Sequence, residues 1–308
     1  MSTWLGSLVW SLATAFIRLL SAVGILRPTD LGVRVISVGN IQAGGAGKTP
    51  LVGLIAREAS QRGLRVCILS RGYGGHWEKT GGVISPEGPL LTSAECGDEP
   101  VLLRELAPQA WIGVGADRVR QFEQVKKAAG GFDLVLLDDG FQHWRIKKDL
   151  EIVAVTGARP STMLFRDFRS ALSRAHLIVW TKGPQNPESW KRPWVKLRFQ
   201  LGPATAQLPL VLVTGLADGA SAFQLLRDGG YRVERHISFP DHARYDRAEI
   251  DRIMNSAREK GLVVAVTGKD WVKWRELGVA REDVLVFEPE PRVEEGRELW
   301  EKILWARS

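Results

Sequence analysis

The chain has 308 residues, 44% of them hydrophobic and 25% charged, with a formal net charge of +7. That length predicts two domains, and an ordinary globular composition without repeats or low-complexity tracts excludes a fibrous or disordered chain. Cys67 and Cys96 are the only cysteines, which excludes a disulfide framework and fits a reducing compartment. The basic balance suits an acidic partner: a nucleotide, a phosphorylated lipid or an anionic membrane face. No long Lys/Arg run or nucleic-acid motif accompanies it, so nucleic acid is not expected.

From Trp4 to Leu26 the apolar residues Leu5, Leu8, Val9, Leu12, Phe16, Leu19, Leu20 and Val23 fall at helical spacing, with Ser7, Ser11, Thr14, Arg18 and Ser21 in a stripe opposite. Nothing basic precedes the run, which argues against a signal peptide. Arg18 and the polar stripe argue against a spanning helix. Two readings stay open, a helix lying in a membrane interface and a helix packed on its own domain, and the first is favoured.

Pro28 to Asp30 breaks that helix. Val33 to Val38 reads as a buried strand, followed by Gly44, Gly45, Ala46 and Gly47 and by Lys48-Thr49 at the start of a helix through Leu51, Leu54 and Ile55. Strand, glycine loop, Lys-Thr and helix in that order form a phosphate cradle. Backbone N–H groups wrap the phosphates, Lys48 reaches the β- and γ-oxygens, and the Thr49 hydroxyl holds Mg²⁺. Gln42 stands where the usual pattern begins with Gly.

A second strand, Leu64 to Leu69, ends in Ser70-Arg71-Gly72-Tyr73, which places Arg71 and Tyr73 where ligands gather in α/β sheets. Gly82 to Thr92 looks like a hairpin. Asp98, in Gly97-Asp98-Glu99-Pro100, is either a helix-start carboxylate or a chemical group, and spacing does not decide between them. Trp111 to Val114 is another strand. Phe132 to Leu137 is a continuous apolar run closed by Asp138-Asp139-Gly140. A carboxylate pair there, downstream of a phosphate loop, fits a second nucleotide motif, with Asp138 toward Mg²⁺ and Asp139 toward nucleotide or water.

After Lys147-Lys148 a second α/β series is expected, because four apolar runs end at Thr156, Thr181, Thr214 and Thr267. The sequence thus predicts an α/β fold with a helix over 1–27, a P-loop nucleotide-binding domain over 28–148, and a second, smaller α/β domain over 149–289. In the final segment, 290–308, Arg292 to Trp305 reads as a helix able to pack back on either domain, the first included.

Taken together, these motifs resemble the tetraacyldisaccharide 4′-kinases of lipid A biosynthesis. The matching stretches are Ser37-Val-Gly-Asn40 with Gly44-Gly-Ala-Gly-Lys-Thr-Pro50, Ser70-Arg-Gly-Tyr73, Gly97-Asp-Glu-Pro100, Asp138-Asp-Gly-Phe-Gln-His143, Phe165-Arg166, and Phe239-Pro-Asp-His242 with Tyr245. The resemblance implies a kinase on the cytoplasmic face of the bacterial inner membrane. It moves the γ-phosphoryl of ATP, with Mg²⁺, to the 4′-hydroxyl of tetraacyldisaccharide 1-phosphate, and no protein partner is indicated. It implies Asp98 as base assisted by His242, Asn40, Arg71 and Tyr73 as substrate contacts, and Arg166 as a neutraliser of phosphate charge. Three stretches depart from the family pattern: Arg166-Asp167 where Arg-Glu is usual, Thr267-Gly268-Lys269-Asp270 where Thr-Glu-Lys-Asp is frequent, and Thr214-Gly215-Leu216-Ala217-Asp218 in place of a Gly-Ile-Gly-like turn. A nucleotide-switch ATPase is the main alternative; against it, Ala43 stands where many such proteins carry Lys. A metal-insertion GTPase lacks support because no Asn-Lys-x-Asp motif appears.

Overall fold

Among the described residues thirteen strands form two sheets, accompanied by ten α-helices. The computed structural model describes every residue except 1–2, 25, 43–44, 158–164, 185–186, 202–208, 217, 242 and 307–308. In chain order the elements begin with α1 (Thr3–Ala22), β1 (Arg34–Asn40), α2 (Lys48–Gln61), β2 (Val66–Ser70), α3 (Trp77–Thr80), β3 (Gly82–Ile84), α4 (Ser93–Cys96) and α5 (Asp98–Leu106). They continue with β4 (Trp111–Val114), α6 (Arg118–Ala129), β5 (Leu134–Asp138), β6 (Leu150–Thr156), β7 (Leu177–Lys182) and β8 (Trp194–Gln200). Next come β9 (Leu210–Thr214), α7 (Gly219–Asp228), β10 (Val233–Ser238), α8 (Arg247–Glu259), β11 (Val263–Thr267) and α9 (Gly268–Glu276). The chain closes with β12 (Val284–Phe287), β13 (Glu290–Glu295) and α10 (Arg297–Trp305).

The larger sheet has nine strands in the order β13-β8-β7-β6-β1-β5-β2-β4-β3. Its interior is parallel, and an antiparallel strand closes each edge, β3 on β4 and β13 on β8. Strands β2 and β5 are buried along their whole length, which explains their unbroken apolar sequence: both faces are covered, so alternation is lost. Alternate residues feed two cores. Ile36, Leu136 and Ile152 pack with Leu51 and Ile55 of α2 and Trp300 of α10. Val35, Val135 and Leu137 pack with Phe122 and Val125 of α6 on the other side. The smaller sheet, β10-β9-β11-β12, is wholly parallel.

Several expectations are corrected here. β6, β7 and β8 extend the phosphate-loop sheet rather than starting a second one, since β6 pairs with β1 over Ile36–Asn40. The runs ending at Thr156 and Thr181 therefore belong with the first series, and only those ending at Thr214 and Thr267 share the smaller sheet. Chain order concealed this, because β6 docks on the side of β1 left open by β5. The larger sheet thus crosses the boundary expected at 148/149, and the chain leaves it after β8 and returns at β13, so the smaller sheet is an insertion between two paired edge strands. Gly82 to Thr92 is no hairpin: β3 pairs with β4, and Thr92 instead caps α4 through a capping box with Glu95. The C-terminal segment is a strand followed by a helix, and α10 is held by Glu58 of α2, which accepts from Trp300 Nε1 at 2.8 Å and Trp305 Nε1 at 2.9 Å.

The stripe along α1 is also turned about. Ser7 and Ser11 are 6% and 2% exposed, whereas Val9, Leu12 and Phe16 are 57%, 55% and 61% exposed. Ser7 and Ser11 thus face the protein, while Val9, Leu12 and Phe16 face outward. Among the described residues no helix is long and apolar enough to cross a membrane.

Candidate active site

A cleft of about 1520 Å³ opens between the carboxyl end of the larger sheet and the smaller sheet. Gly45, Ala46, Gly47, Lys48 and Thr49 line one wall, with Asp138, Asp139 and Arg166 beside them; Leu216, Asp218, Lys269 and Glu288 face them from the smaller unit. Gly44 lies outside the described residues. Gly47 needs its missing Cβ twice over. Its φ of 71° is left-handed, and an added Cβ would stand 2.7 Å from the Phe199 ring. It leads into α2, whose first turn has no side-chain cap, so the N–H groups of Lys48 and Thr49 are the donors an anion requires.

Lys48 Nζ sits between two oxygens, Asn40 Oδ1 at 3.1 Å and Asp139 Oδ1 at 3.2 Å. Asp139 also pairs with the Arg166 guanidinium. Its backbone is left-handed, at φ 50°, an unfavourable angle for a residue with a side chain. That angle turns its carboxylate toward Lys48 and Arg166 while Asp138 stays in the strand. Burial alone would raise the Asp139 carboxyl, but Lys48 and Arg166 outweigh it and hold the group well below the usual carboxylate range. Its neighbour goes the other way. Asp138 is buried and is pushed up to about 7, first by burial and then by the charges of Glu99 and Asp139. Its Oδ2 accepts from Ser70 Oγ at 3.0 Å, and its Oδ1 has no partner.

That orphaned oxygen tests the fit of Mg²⁺. A buried carboxylate oxygen without a donor costs free energy unless a cation or water meets it, and the Thr49 hydroxyl lines the same cleft. Among the described residues no cluster of three or more His, Cys, Asp and Glu could hold a metal alone. The residues fit a cation completed by phosphate oxygens and water, the ordinary manner of Mg²⁺.

The sequence profile described as Tetraacyldisaccharide-1-P 4′-kinase matches residues 2–307. The chain is 36% identical over 292 residues to the tetraacyldisaccharide 4′-kinase of Geobacter metallireducens, covering 87% of this chain and 86% of that one. It is 33% identical to that of Pelobacter propionicus, covering 96% and 91%. Its fold matches the crystal structure of LpxK from Aquifex aeolicus in complex with ATP at a TM-score of 0.75 and 26% identity, over 97% of this chain and 95% of that one. The chain belongs to the tetraacyldisaccharide 4′-kinase family. It is an ATP-dependent kinase.

Not every residue singled out by sequence reaches this kinase's cleft in the same way. Arg71 and Tyr73 line it, Tyr73 well exposed and Arg71 bonded to Glu78 at 2.7 Å. Asn40 does not: it is fully buried, and its Oδ1 accepts from Lys48 Nζ at 3.1 Å. Asp98 is off the lining as well. Its carboxylate meets Lys273 of α9 at 2.9 Å, and Lys273 also donates to the carbonyl of Ala243 at 2.9 Å. His242 lies outside the described residues.

The sequence reading missed five groups of the kinase. Glu99, Arg118, Gln142 and His143 line the cleft, and Lys273 clamps Asp98. Arg118 donates to the Asp138 carbonyl at 2.8 Å. Burial, and then Arg118, Lys148 and Arg145, push His143 down to about 3, so it is neutral at neutral pH. Three of these carried a signal. Arg118 follows a strand end, as Arg71 does, and Gln142 and His143 continue the Asp138-Asp139 motif. Lys273 carried none, because it lies mid-helix in a distant stretch.

Proposed function

We propose that this kinase transfers the γ-phosphoryl of ATP to the 4′-hydroxyl of tetraacyldisaccharide 1-phosphate inside the cleft, while lying against the cytoplasmic face of the bacterial inner membrane. One observation carries the reading: Trp10 of α1 lines the same cavity as Lys48, Thr49 and Asp138. An outward apolar helix at one end and a phosphate loop at the other suit a substrate with acyl chains and a sugar hydroxyl. Val9, Leu12 and Phe16 give the helix an apolar face for the acyl boundary, which favours an interfacial helix over a spanning one.

Lys48 and Arg166 place positive charge where negative charge accumulates on the transferring group. Thr49 and Asp138 would hold Mg²⁺, which neutralises phosphate charge when bound. Asp139 keeps Lys48 and Arg166 together, and Arg71 and Tyr73 meet the sugar. The 4′-oxygen forms its bond to the γ-phosphorus as the bond to the β-phosphate oxygen breaks, ADP leaves, and the hydroxyl proton passes to a carboxylate. We assign that carboxylate to Asp98, supported by His242. Its pairing with Lys273 ties α5 to α9, alongside Glu105–Arg275 at 2.6 Å, so the base sits at the seam where the two sheets meet. A second reading has a specific observation behind it: Glu99 lines the cleft and Asp98 does not.

Incubation with γ-labelled ATP, Mg²⁺ and tetraacyldisaccharide 1-phosphate should place label in the lipid fraction; release only as inorganic phosphate would indicate a switch ATPase instead. Asp98→Ala and His242→Ala should each lower kcat strongly with little change in ATP affinity. The double variant should be scarcely worse than the poorer single one, because residues acting as a unit are non-additive. A larger kcat loss in Glu99→Ala, with Asp98→Ala affecting only stability, would move the base to Glu99.

A further inference from the structure

Arg166 belongs to no helix or strand, yet its guanidinium is aimed at Asp139 in the cleft. Its backbone is fixed from two directions. On the inner side its N–H donates to the carbonyl of Ile41 at 2.8 Å, next to Asn40, which accepts from Lys48. Phe165 bridges to Gln42 on the same side. On the outer side the support comes from α1. Ser7 Oγ accepts from the Phe165 N–H at 2.8 Å. Thr14 Oγ1 lies 3.2 Å from the Arg166 carbonyl and 3.0 Å from the Ser11 carbonyl, so its one proton is shared between them. Ser7, Ser11 and Thr14 are spaced four and three apart, which puts all three on one face, and this is why they turn inward on an otherwise apolar helix.

A helix that served only to meet a bilayer would need its apolar face and nothing in particular on the other. Here two hydroxyls bond to the main chain of two consecutive residues, the second of which reaches the phosphate site. We infer that Ser7 and Thr14 are positioning residues for Arg166, so that α1 sets the geometry of the phosphate site in addition to facing the membrane. The inference rests on the reading of Arg166 as the neutraliser of phosphate charge. Small displacements of a charge-stabilising group have large kinetic effects, and the two hydroxyls act on the group that carries the guanidinium.

The test uses the full chain in mixed micelles with tetraacyldisaccharide 1-phosphate, measuring kcat and both KM values. Ser7→Ala/Thr14→Val should lower kcat on the order of tenfold, with the KM for lipid within about twofold of wild type. Thr14→Ser in the otherwise native chain keeps the hydroxyl and should keep kcat. Leu12→Ser/Phe16→Ser, on the outward face, should do the opposite, raising the lipid KM with kcat unchanged. In an Arg166→Ala background the Ser7/Thr14 changes should have no further effect on kcat, since the residue they position is gone. An equal loss in both backgrounds, or a loss confined to the lipid KM, would overturn the inference and leave α1 as an anchor. A fully active Arg166→Ala variant would instead overturn the reading of Arg166 itself.

Discussion

Two clusters of acid at the ends of parallel strands look alike in the sequence and differ in the structure. At the end of β5, Asp138 leaves one oxygen without a partner, and Asp139 holds an unfavourable backbone angle to reach Lys48 and Arg166. At the end of β11, Asp270 is fully buried and fully used. Its Oδ1 accepts from the Gly215 N–H at 3.0 Å and from Tyr245 Oη at 2.8 Å, and its Oδ2 accepts from Thr267 Oγ1 at 2.7 Å. Burial and the nearby Asp270 charge hold the Tyr245 hydroxyl far above its ordinary range, so it stays a donor. An acid whose valences are filled by its own protein is scaffold; one with strained geometry and an orphaned oxygen is prepared for a ligand. Thr267 and Tyr245 thus help to hold the smaller sheet together, whereas the strained and orphaned carboxylates stand at the larger one.

The widest separation between the two clusters should come from a pair of alanine substitutions. Lys48→Ala should lower kcat by about 10³-fold or more, while the urea midpoint moves little because Arg166 still pairs with Asp139. Asp270→Ala should do the reverse. It orphans three buried donors and should cost about 2–4 kcal/mol of stability, leaving kcat of the folded fraction little changed. Urea titration and steady-state kinetics on the two proteins check both halves. A stable, inactive Asp270→Ala would place that residue in the chemistry and break the contrast.

The sequence made the phosphate side of this contrast legible because its signals are local. A strand, three glycines, Lys48-Thr49 and a helix lie within one short stretch, and Asp138-Asp139 end a run too apolar to be anything but a buried strand. The smaller sheet was only half legible. The runs ending at Thr156, Thr181, Thr214 and Thr267 have the same composition, and nothing local says that the first two extend the sheet of β1, β6 on β1 and β7 on β6, while the others pair together. Strand order is a non-local property, decided by which edge stays open after earlier strands dock. The stripe on α1 was visible as a period, but a period does not say which face meets the protein. The hydroxyls of Ser7 and Thr14 settle that by bonding to residues more than a hundred positions away. Lys273 was invisible for the same reason, since its carboxylate partner, Asp98, comes from a distant stretch across the α5–α9 seam.

A subtler separation lies in the pH dependence. Asp138 has an ordinary value of 3.8 and is pushed up to about 7 in the folded chain. Across that window the folded state keeps a proton that the unfolded state has released. Stability is therefore highest below about 4 from this group's contribution and falls as pH rises toward 7, at up to about 1.4 kcal/mol per pH unit. Asp138→Asn should remove that slope and be the more stable protein at pH 8, although inactive. Urea midpoints of wild type and variant between pH 5 and 8, taken without nucleotide, check the sign. A variant equally or less stable at pH 8 would mean that Asp138 is held ionised.

The smallest expected effect concerns the carboxylate that the Thr267-Gly268-Lys269-Asp270 stretch lacks. In the structure the space beside Gly268 is taken by another acid: a Cβ built on Gly268 would stand 2.8 Å from Glu288 Oε1. Glu288 lines the cleft where the chain crosses from β12 back toward β13. Burial first, then the charge of Glu105, pushes it up to about 7. Gly268 and Glu288 therefore form a matched pair, in which the missing side chain at one position makes room for the carboxylate at the other. Gly268→Ala has two opposing consequences. It gains helix propensity at the start of α9, up to about 1 kcal/mol, and it forces the end of a flexible side chain to move, which costs a similar amount. The net change in the native chain should be within about 0.5 kcal/mol of zero. In a Glu288→Ala background the second consequence vanishes, and Gly268→Ala should stabilise by about 0.5–1 kcal/mol. A double-mutant cycle read by urea denaturation measures the difference directly. If the alanine has the same effect in both backgrounds, Glu288 does not occupy that space in solution, and the carboxylate absent at position 268 has no replacement there.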